Sequence, residues 1–549
     1  MVFWEDIMTR LNRAMRTAST LALAVGLAVP ALAGGYQVET LVPGSAFHGV
    51  HGLATDDAGH IYAGSVIGQQ LYRVDAATGD VAVEIPAPQG MADDLVIGPD
   101  GTLAWTAFLL GDLYARGADG QIKTLASGLP GINSLAYSPD GRLFATQVFL
   151  GDALYEIDTR GEKPARKIME GMGGLNGFQF GPDGKLYGPL WFKGQVVRID
   201  VDSGDIEVIA EGFKVPAAVN LDSRGNIWVV DTARGQLVRI SPDGQSKEVV
   251  AQLSTSLDNL AIDGQDRIFV SNMADNGIQE VDPATGAVRQ VVKGSLSMPG
   301  GLALVAEDGQ ETLYLADGFA FRTVDVATGQ VSDIARMQAD HLEYPFSARA
   351  NADHVLLSSW FTGTVQVMNR KTGESLHLLH GFAAPQDAVE LADGSLLVTE
   401  LATGKLLHVS GPEGETREAV TEGLILPVGM VLDGQGAVFV TEAGAGTLSR
   451  IDLETGARTP IVEGLKGPEG LDRGPDGRLV LAEVGAKQVI AVDPESAEVT
   501  VLATDLPIGM SAAAGMPPSY VPTGIAVGQD GTVYVTSDLE NAIYRLSPR

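Results

Sequence analysis

The chain contains no cysteine, which removes disulfides, thiolate metal sites and cysteine nucleophiles together. It also lacks a Gly-x-Ser-x-Gly elbow and a His-Glu-x-x-His helix, so neither a serine-hydrolase nor a zincin mechanism has a local signature. Positive charge is scarce. Lys plus Arg number 37 against 69 Asp plus Glu, a formal net charge of −32. Such a surface repels nucleic acid and anionic membrane and attracts cations. After residue 33 no stretch is long and apolar enough to cross a bilayer, and none keeps a helical period.

What is present begins with an export signal. Arg10, Arg13 and Arg16 precede the apolar run "TLALAVGLAVPALA", which ends in Ala31-Leu32-Ala33. A charged n-region, a short h-region and a small-residue cleavage site predict a signal peptide over residues 1–33. The mature protein is then expected across the inner membrane, periplasmic or extracellular, with no membrane span. At 549 residues with 68 glycines, the chain is too long for one ordinary core and rich in turns.

One unit recurs twelve times. Aligning on the residue seven before the turn glycine, or before its counterpart in the copies starting at Asn259, Gly301 and Ser347, gives Gly52, Asp94, Ser134, Gly177, Ala218, Asn259, Gly301, Ser347, Asp387, Gly429, Gly470 and Gly524. The spacing is close to forty, and each copy reads as strand, Gly-Asp-Gly type turn, strand, loop, strand. Most copies add a fourth strand. Several short strands at this period predict propeller blades.

The "PDG" turns and the P-x-G-(I/L/M)-A-V pattern of "VPTGIAV" and "LPVGMVL" resemble NHL-type propellers and the senescence-marker-protein/gluconolactonase family. That family is related in shape to strictosidine synthase and virginiamycin B lyase. The resemblance implies an all-β chain. Twelve blades exceed the usual 4–8 per ring, so two consecutive six-bladed propellers are expected, over residues 34–286 and 287–549. A 5+7 partition in either order is the alternative. The last copy lacks a fourth strand and "YQVETLV" precedes the first, so an exchange is expected. Tyr36–Val42 would close the sixth blade and Ala287–Gly294 the twelfth.

The resemblance also implies that the residue before each first strand and the loop between the second and third strands share one face. In the first half those residues are His51, Asp93, Asn133, Asn176, Ala217 and Asp258; in the second, Gly300, Phe346, Gln386, Val428, Glu469 and Thr523. The first set suits a divalent cation such as Ca²⁺, Mg²⁺ or Zn²⁺. The family holds its metal with Glu, Asn and Asp. Asn133, Asn176 and Asp258 look like its amide and late aspartate ligands, whereas His51 stands where its early glutamate would be. His51, Asp93, Asn133, Asn176 and Asp258 are therefore the expected ligands, with Asp258, Asp93 and His51 as catalytic candidates.

Four loops of the first half carry apolar tips: Val66-Ile67, Phe108-Leu109-Leu110, Val148-Phe149-Leu150 and Leu190-Trp191-Phe192. Phe108, Phe149, Trp191 and Phe192 are expected to form a greasy rim that binds a small-molecule substrate of apolar character. Packing of that rim on another part of the chain, or on a protein partner, is the alternative. Together these readings imply a metal-dependent hydrolase of a lactone or ester. A lyase opening a cyclic ester and a non-enzymatic binding propeller are the competing functions. Glu400, Glu442 and Glu483, at the ends of "VTE", "VTE" and "LAE", are expected to be structural.

Overall fold

A computed structural model describes residues 35–549 other than 412, 514 and 515, so the expected signal peptide lies outside the described residues. Among those residues the regular elements are strands, apart from a single 3-10 turn at Val484–Ala486. The strands form twelve four-stranded antiparallel sheets. Blade 1 runs from its innermost strand Leu53–Thr55 through His60–Ser65 and Gln70–Asp75 to the outermost strand Val81–Ile85. The innermost strands of the other blades begin at Leu95, Ile132, Gln179, Pro216, Leu257, Leu302, Ser347, Pro385, Pro427, Pro468 and Ile525.

Burial follows position within the blade. In blade 5 the second strand, Ile227–Asp231, is buried along its length because both of its faces meet neighbouring blades. The outermost strand, Lys247–Gln252, is mostly exposed. The core consists of apolar layers between adjacent blades, as where Leu71 and Ile85 of blade 1 meet Leu95, Leu103 and Trp105 of blade 2. The turn glycines do a different job from the packed residues. Gly101 has φ +80° and a Cβ there would meet nothing within 4 Å, so that position needs glycine for its backbone angle alone.

The chain divides into two compact units, each a closed ring of six blades. The first holds Ala46–Ser297 together with Arg336–Asp340, and the second holds Met298–Ala335 and His341–Arg549 with the first described strand. Ring 1 closes where Ile61 and Val74 of blade 1 pack on Ala261, Phe269 and Ile278 of blade 6. Ring 2 closes where the Gln529 N–H of blade 12 donates to Glu311 Oε1 of blade 7 at 3.0 Å.

The expected exchange of closing strands does not occur. Tyr36–Val42 pairs antiparallel with Ala542–Pro548, with Val38 opposite Leu546, and so completes blade 12. Val288–Val292 stays with its own hairpin partner, Gly277–Val281, and completes blade 6. A local hairpin closes at less entropic cost than a strand recruited from the far end of the chain. Both rings are sealed, and the first unit therefore runs to Ser297, past the expected boundary at Gly286.

The pairing can be checked by exchange. Deleting residues 36–43 should deprotect the amides of Ala542–Pro548 to hydrogen exchange and leave Gly277–Val281 protected. The reverse pattern would restore the exchanged arrangement.

Candidate functional site

Three candidate residues of ring 1 are held just before the innermost strand by main-chain bonds to the second strand, whereas Asn133 and Asp258 are the second residues of their innermost strands. His51 N–H donates to Gly64 O at 2.9 Å, Asp93 N–H to Thr106 O at 2.9 Å and Asn176 N–H to Pro189 O at 3.2 Å. Trp191 N–H and Phe192 N–H donate to Gly174 O and Gly173 O, at 2.8 and 3.1 Å. The residue before the first strand and the loop after the second thus sit at one end of the blade, as expected. A hydroxyl twelve residues on reinforces this. Thr106 Oγ1 accepts from Asp94 N–H at 3.1 Å and Ser271 Oγ from Asn259 N–H at 3.0 Å.

Three candidates converge. The ligand atoms of His51, Asp93 and Asp258 lie within 4.8 Å of one another. His51 Nδ1 is 3.3 Å from Asp258 Oδ2 and 3.7 Å from Asp93 Oδ1. The three side chains come from consecutive blades, 6, 1 and 2, and are 10 to 15% exposed, sheltered but open on one side. Burial alone would lower the His51 pKa; the hydrogen bond and charge of Asp258, with the charge of Asp93, outweigh it and hold the imidazole above its usual value. Burial pushes Asp93 up to about 7, His51 opposing and Asp258 adding. The trio is acid-rich and tightly coupled, and its nitrogen and oxygen donors fit a divalent cation.

The asparagines flank that trio. Asn133 Nδ2 donates to Asp93 Oδ2 at 2.8 Å, fixing the carboxylate. Ser134 Oγ lies 2.8 Å from Asn133 Oδ1 and 3.0 Å from Asn176 Oδ1. A hydroxyl has one proton to give, so it serves one of these oxygens. Ala217 contributes no donor. His48 turns to Tyr72, with Nδ1 3.3 Å from the phenol oxygen.

A second polar layer lies one residue deeper. Asp94 Oδ1 accepts from Leu95 N–H at 2.9 Å and from Asn259 Nδ2 at 3.0 Å, joining blade 2 to blade 6. Burial raises the Asp94 pKa well above the usual carboxylate range. Ser134 and Asn259 escaped the sequence reading. They occupy alignment positions held by glycine or alanine in many copies, and a polar residue there was the available signal.

The aromatic tips form one cluster. Phe149 stands edge-on to Trp191 at 5.2 Å and to Phe192 at 5.9 Å, with Phe108 at 6.4 Å. Only Phe149 and Phe192 are exposed, at 46 and 60%. Phe149 holds this place at φ +68°, a left-handed conformation that is strained for a bulky side chain. Phe108, Leu109, Val148 and Leu190 are buried, and Trp191 belongs to the core with Ala217, Ala218 and Trp228. The solvated rim expected from the sequence is therefore two rings wide, because the other tips bend back onto the blades.

Ring 2 uses the same scaffold differently. Its axis carries a cation of its own: Arg349 Nε and Nη2 reach Asp387 Oδ2 at 2.9 and 2.7 Å, and Asp472 adds a second nearby charge. Beside them is room for one water, about 20 Å³. At the mouth, burial pushes Glu469 up to about 8, so it is protonated at neutral pH. The mouth is covered by the insert that ends in Ser519 and Tyr520. Trp360 Nε1 donates to Tyr520 O at 2.8 Å, and the two rings stack at 5.7 Å. The three "E" endings behave as expected for structural acids. Glu400, Glu442 and Glu483 accept from the N–H groups of Ala383, Ile425 and Lys466 at 2.7–2.8 Å.

No protein-family profile and no curated protein matches the chain. Among solved structures, it is similar to virginiamycin B lyase from Staphylococcus aureus at 15% identity and TM-score 0.39, over 54% of this chain and 98% of that one. A gluconolactonase from Xanthomonas campestris is similar at 17% and 0.36, over 46% and 96% respectively. The extracellular domain of a presumed one component system from B. thetaiotaomicron is similar at 13% and 0.33, over 93% and 82%. Likeness at this level concerns the fold.

Two measurements test the site. A metal needs neutral imidazole and ionised carboxylate, and here protons are held to higher pH than usual on both. Mn²⁺ affinity should therefore be weak near about pH 5 and climb through about pH 8. Asp93→Asn should weaken it at least about tenfold, and Glu469→Gln should not change it. Equal losses in both variants would remove the assignment to ring 1. The rim is tested by melting. Trp191→Ser should cost about 3–5 kcal/mol of stability, as loss of a buried aromatic does, whereas Phe192→Ser should leave the Tm nearly unchanged.

Proposed function

We propose that the first propeller is an exported, divalent-metal-dependent hydrolase of a lactone or ester that carries an apolar group. The carrying observation is the convergence of His51, Asp93 and Asp258 at the end of ring 1 that also exposes Phe149 and Phe192. When bound there, a divalent cation supplies Lewis acidity toward a carbonyl oxygen. The protein's own groups divide the remaining work. Asn133 holds Asp93 in a fixed orientation. Asp258 has no such amide partner among the described residues and lies beside His51, so it is the better placed to take a proton from an attacking water. Phe149 and Phe192 receive the apolar part of the substrate and keep water away from it.

A lyase is the second reading, favoured by one observation. Two carboxylates beside one imidazole nitrogen raise the basicity of His51, which suits it to removing a proton from carbon. Product mass separates the reactions, because hydrolysis adds a water and elimination does not.

The residues separate them too. Under hydrolysis, Asp258→Asn keeps an oxygen donor but loses the base, and activity should fall by about 10²–10⁴. His51→Gln should then do less damage. Under elimination the order reverses. Both variants are compared on one ester or lactone substrate at equal metal occupancy. Full activity in both would place the chemistry elsewhere.

A further inference from the structure

The candidate trio depends on segments that precede the blades, and one loop holds two of them. This is the loop between the second and third strands of blade 6, Asn272 to Asn276, in "SNMADNG".

Asn276 spends its whole amide on the approach to His51. Its Oδ1 accepts from Gly49 N–H at 3.0 Å and Val50 N–H at 3.2 Å. Its Nδ2 donates to Phe47 O at 2.5 Å and to Leu296 O at 2.9 Å. Three of these four bonds fall on the residues immediately before His51, and they come from a different blade. Blade 1 holds the same segment from its own side, where Ser65 Oγ donates to His48 O at 2.5 Å. Asn276 is fully buried.

Asn272 does the corresponding work for Asp258. Its Nδ2 donates to Thr255 O at 2.9 Å, three residues before Asp258, and its Oδ1 accepts from Asp275 N–H at 2.9 Å. Arg336, which belongs to the first unit, braces the same place, donating to Thr255 O, Asn272 Oδ1 and Asp275 Oδ1 at 2.8, 3.1 and 2.7 Å.

The backbone identifies Asn276 as more than a loop residue. It sits at φ +49°, and the same loop position in blades 2, 4, 5, 8, 9 and 10 is Gly111, Gly194, Gly235, Gly363, Gly404 and Gly446, with φ from +62 to +72°. Glycine is the residue this conformation favours. Blade 6 gives up that ease for a side chain that satisfies four groups across a blade boundary.

We propose that Asn276 is a positioning residue for His51, and that the Asn272–Asn276 loop sets the separation of His51 from Asp258. This rests on the reading of His51 as a ligand, but the clamp can be tested without it. Asn276→Gly restores the residue that other blades carry, so the backbone is relieved and only the clamp is lost. Asn276→Asp keeps the acceptor for Gly49 and Val50 and loses both donors.

The full-length protein, labelled at the histidine ring nitrogens, is compared as wild type and both variants by NMR, with Mn²⁺ alone titrated in parallel. The His51 signal is assigned by its loss in His51→Gln. Asn276→Gly should split or broaden the His51 ring signal while the rings of His354 and His408 stay unchanged. Mn²⁺ affinity should fall by about 10–100-fold, the usual effect of losing an outer-shell partner. Asn276→Asp should fall between. Unchanged affinity with an unchanged His51 signal overturns the proposal. If wild type fails to bind Mn²⁺, the metal reading falls and the His51 signal alone decides the clamp. If Asn276→Gly does not fold, Asn276→Asp is judged by the same two readouts.

Discussion

Adjacent innermost strands approach so closely at each ring axis that most side chains have no room. A Cβ on Gly52 would stand 2.5 Å from Asp93 O, and one on Gly470 would stand 2.2 Å from Thr523 O. Those distances lie well inside van der Waals contact, so a blade must either omit the side chain or direct a polar one across to a neighbour. The backbone already bonds across these gaps: Gly52 N–H donates to Asp93 O at 2.7 Å and Val219 N–H to Gly177 O at 2.7 Å. Everything that distinguishes the two axes is built on the few positions where a side chain is admitted.

The two rings solve the resulting electrostatic problem in opposite ways. Ring 2 admits Asp387 and Asp472 and pairs Arg349 with Asp387, while burial still raises the pKa of Asp472 against the pull of Arg349. Its remaining mouth acid, Glu469, is driven to its neutral form by burial. Ring 1 admits Asp93, Asp94 and Asp258 with an imidazole as their counterweight among the described residues and with amide donors on Asp93 and Asp94. Unpaired buried carboxylates are costly, and proteins ordinarily neutralise them by proton uptake, by a partner or by a metal. Proton uptake on Asp93 and His51 is how ring 1 meets this cost by itself, and a divalent cation would meet it better. On the proposed reading, ring 1 is the one that carries the chemistry, because perturbed, partly buried acids cluster there beside an imidazole.

The repeat made most of the fold legible. Period, turn chemistry and strand alternation are local properties, so twelve blades and their four strands could be read directly. What escaped were relations between distant segments. Which blade Tyr36–Val42 would complete depends on a comparison of closure costs that no local pattern records. The burial of Trp191 depends on blade 5, whose Ala217 and Ala218 leave the space that its indole fills. Asn276 carries no local signature of its role, because its partners lie 20 and more than 220 residues away. The sequence signal was there in one respect: an asparagine stands where six other copies have glycine.

Ring 1 is also asymmetric around its axis, and that asymmetry constrains any substrate. Blades 6, 1 and 2 contribute Asp258, His51 and Asp93, while blades 2, 3 and 4 contribute Phe108, Phe149 and the Trp191-Phe192 pair. Blade 5 offers Ala217 at the mouth and no aromatic tip. On the proposed reading, a reacting carbonyl over the first group directs the apolar part of its molecule toward the third and fourth blades. Asn133 and Asn176 lie between, where a polar link such as an ester oxygen would pass. A wholly polar substrate would leave Phe149 and Phe192 in water with nothing to cover them, and the strained backbone at Phe149 would bring no return. On that reading the arrangement favours molecules that are polar at one end and apolar at the other, with the bond to be broken near the junction.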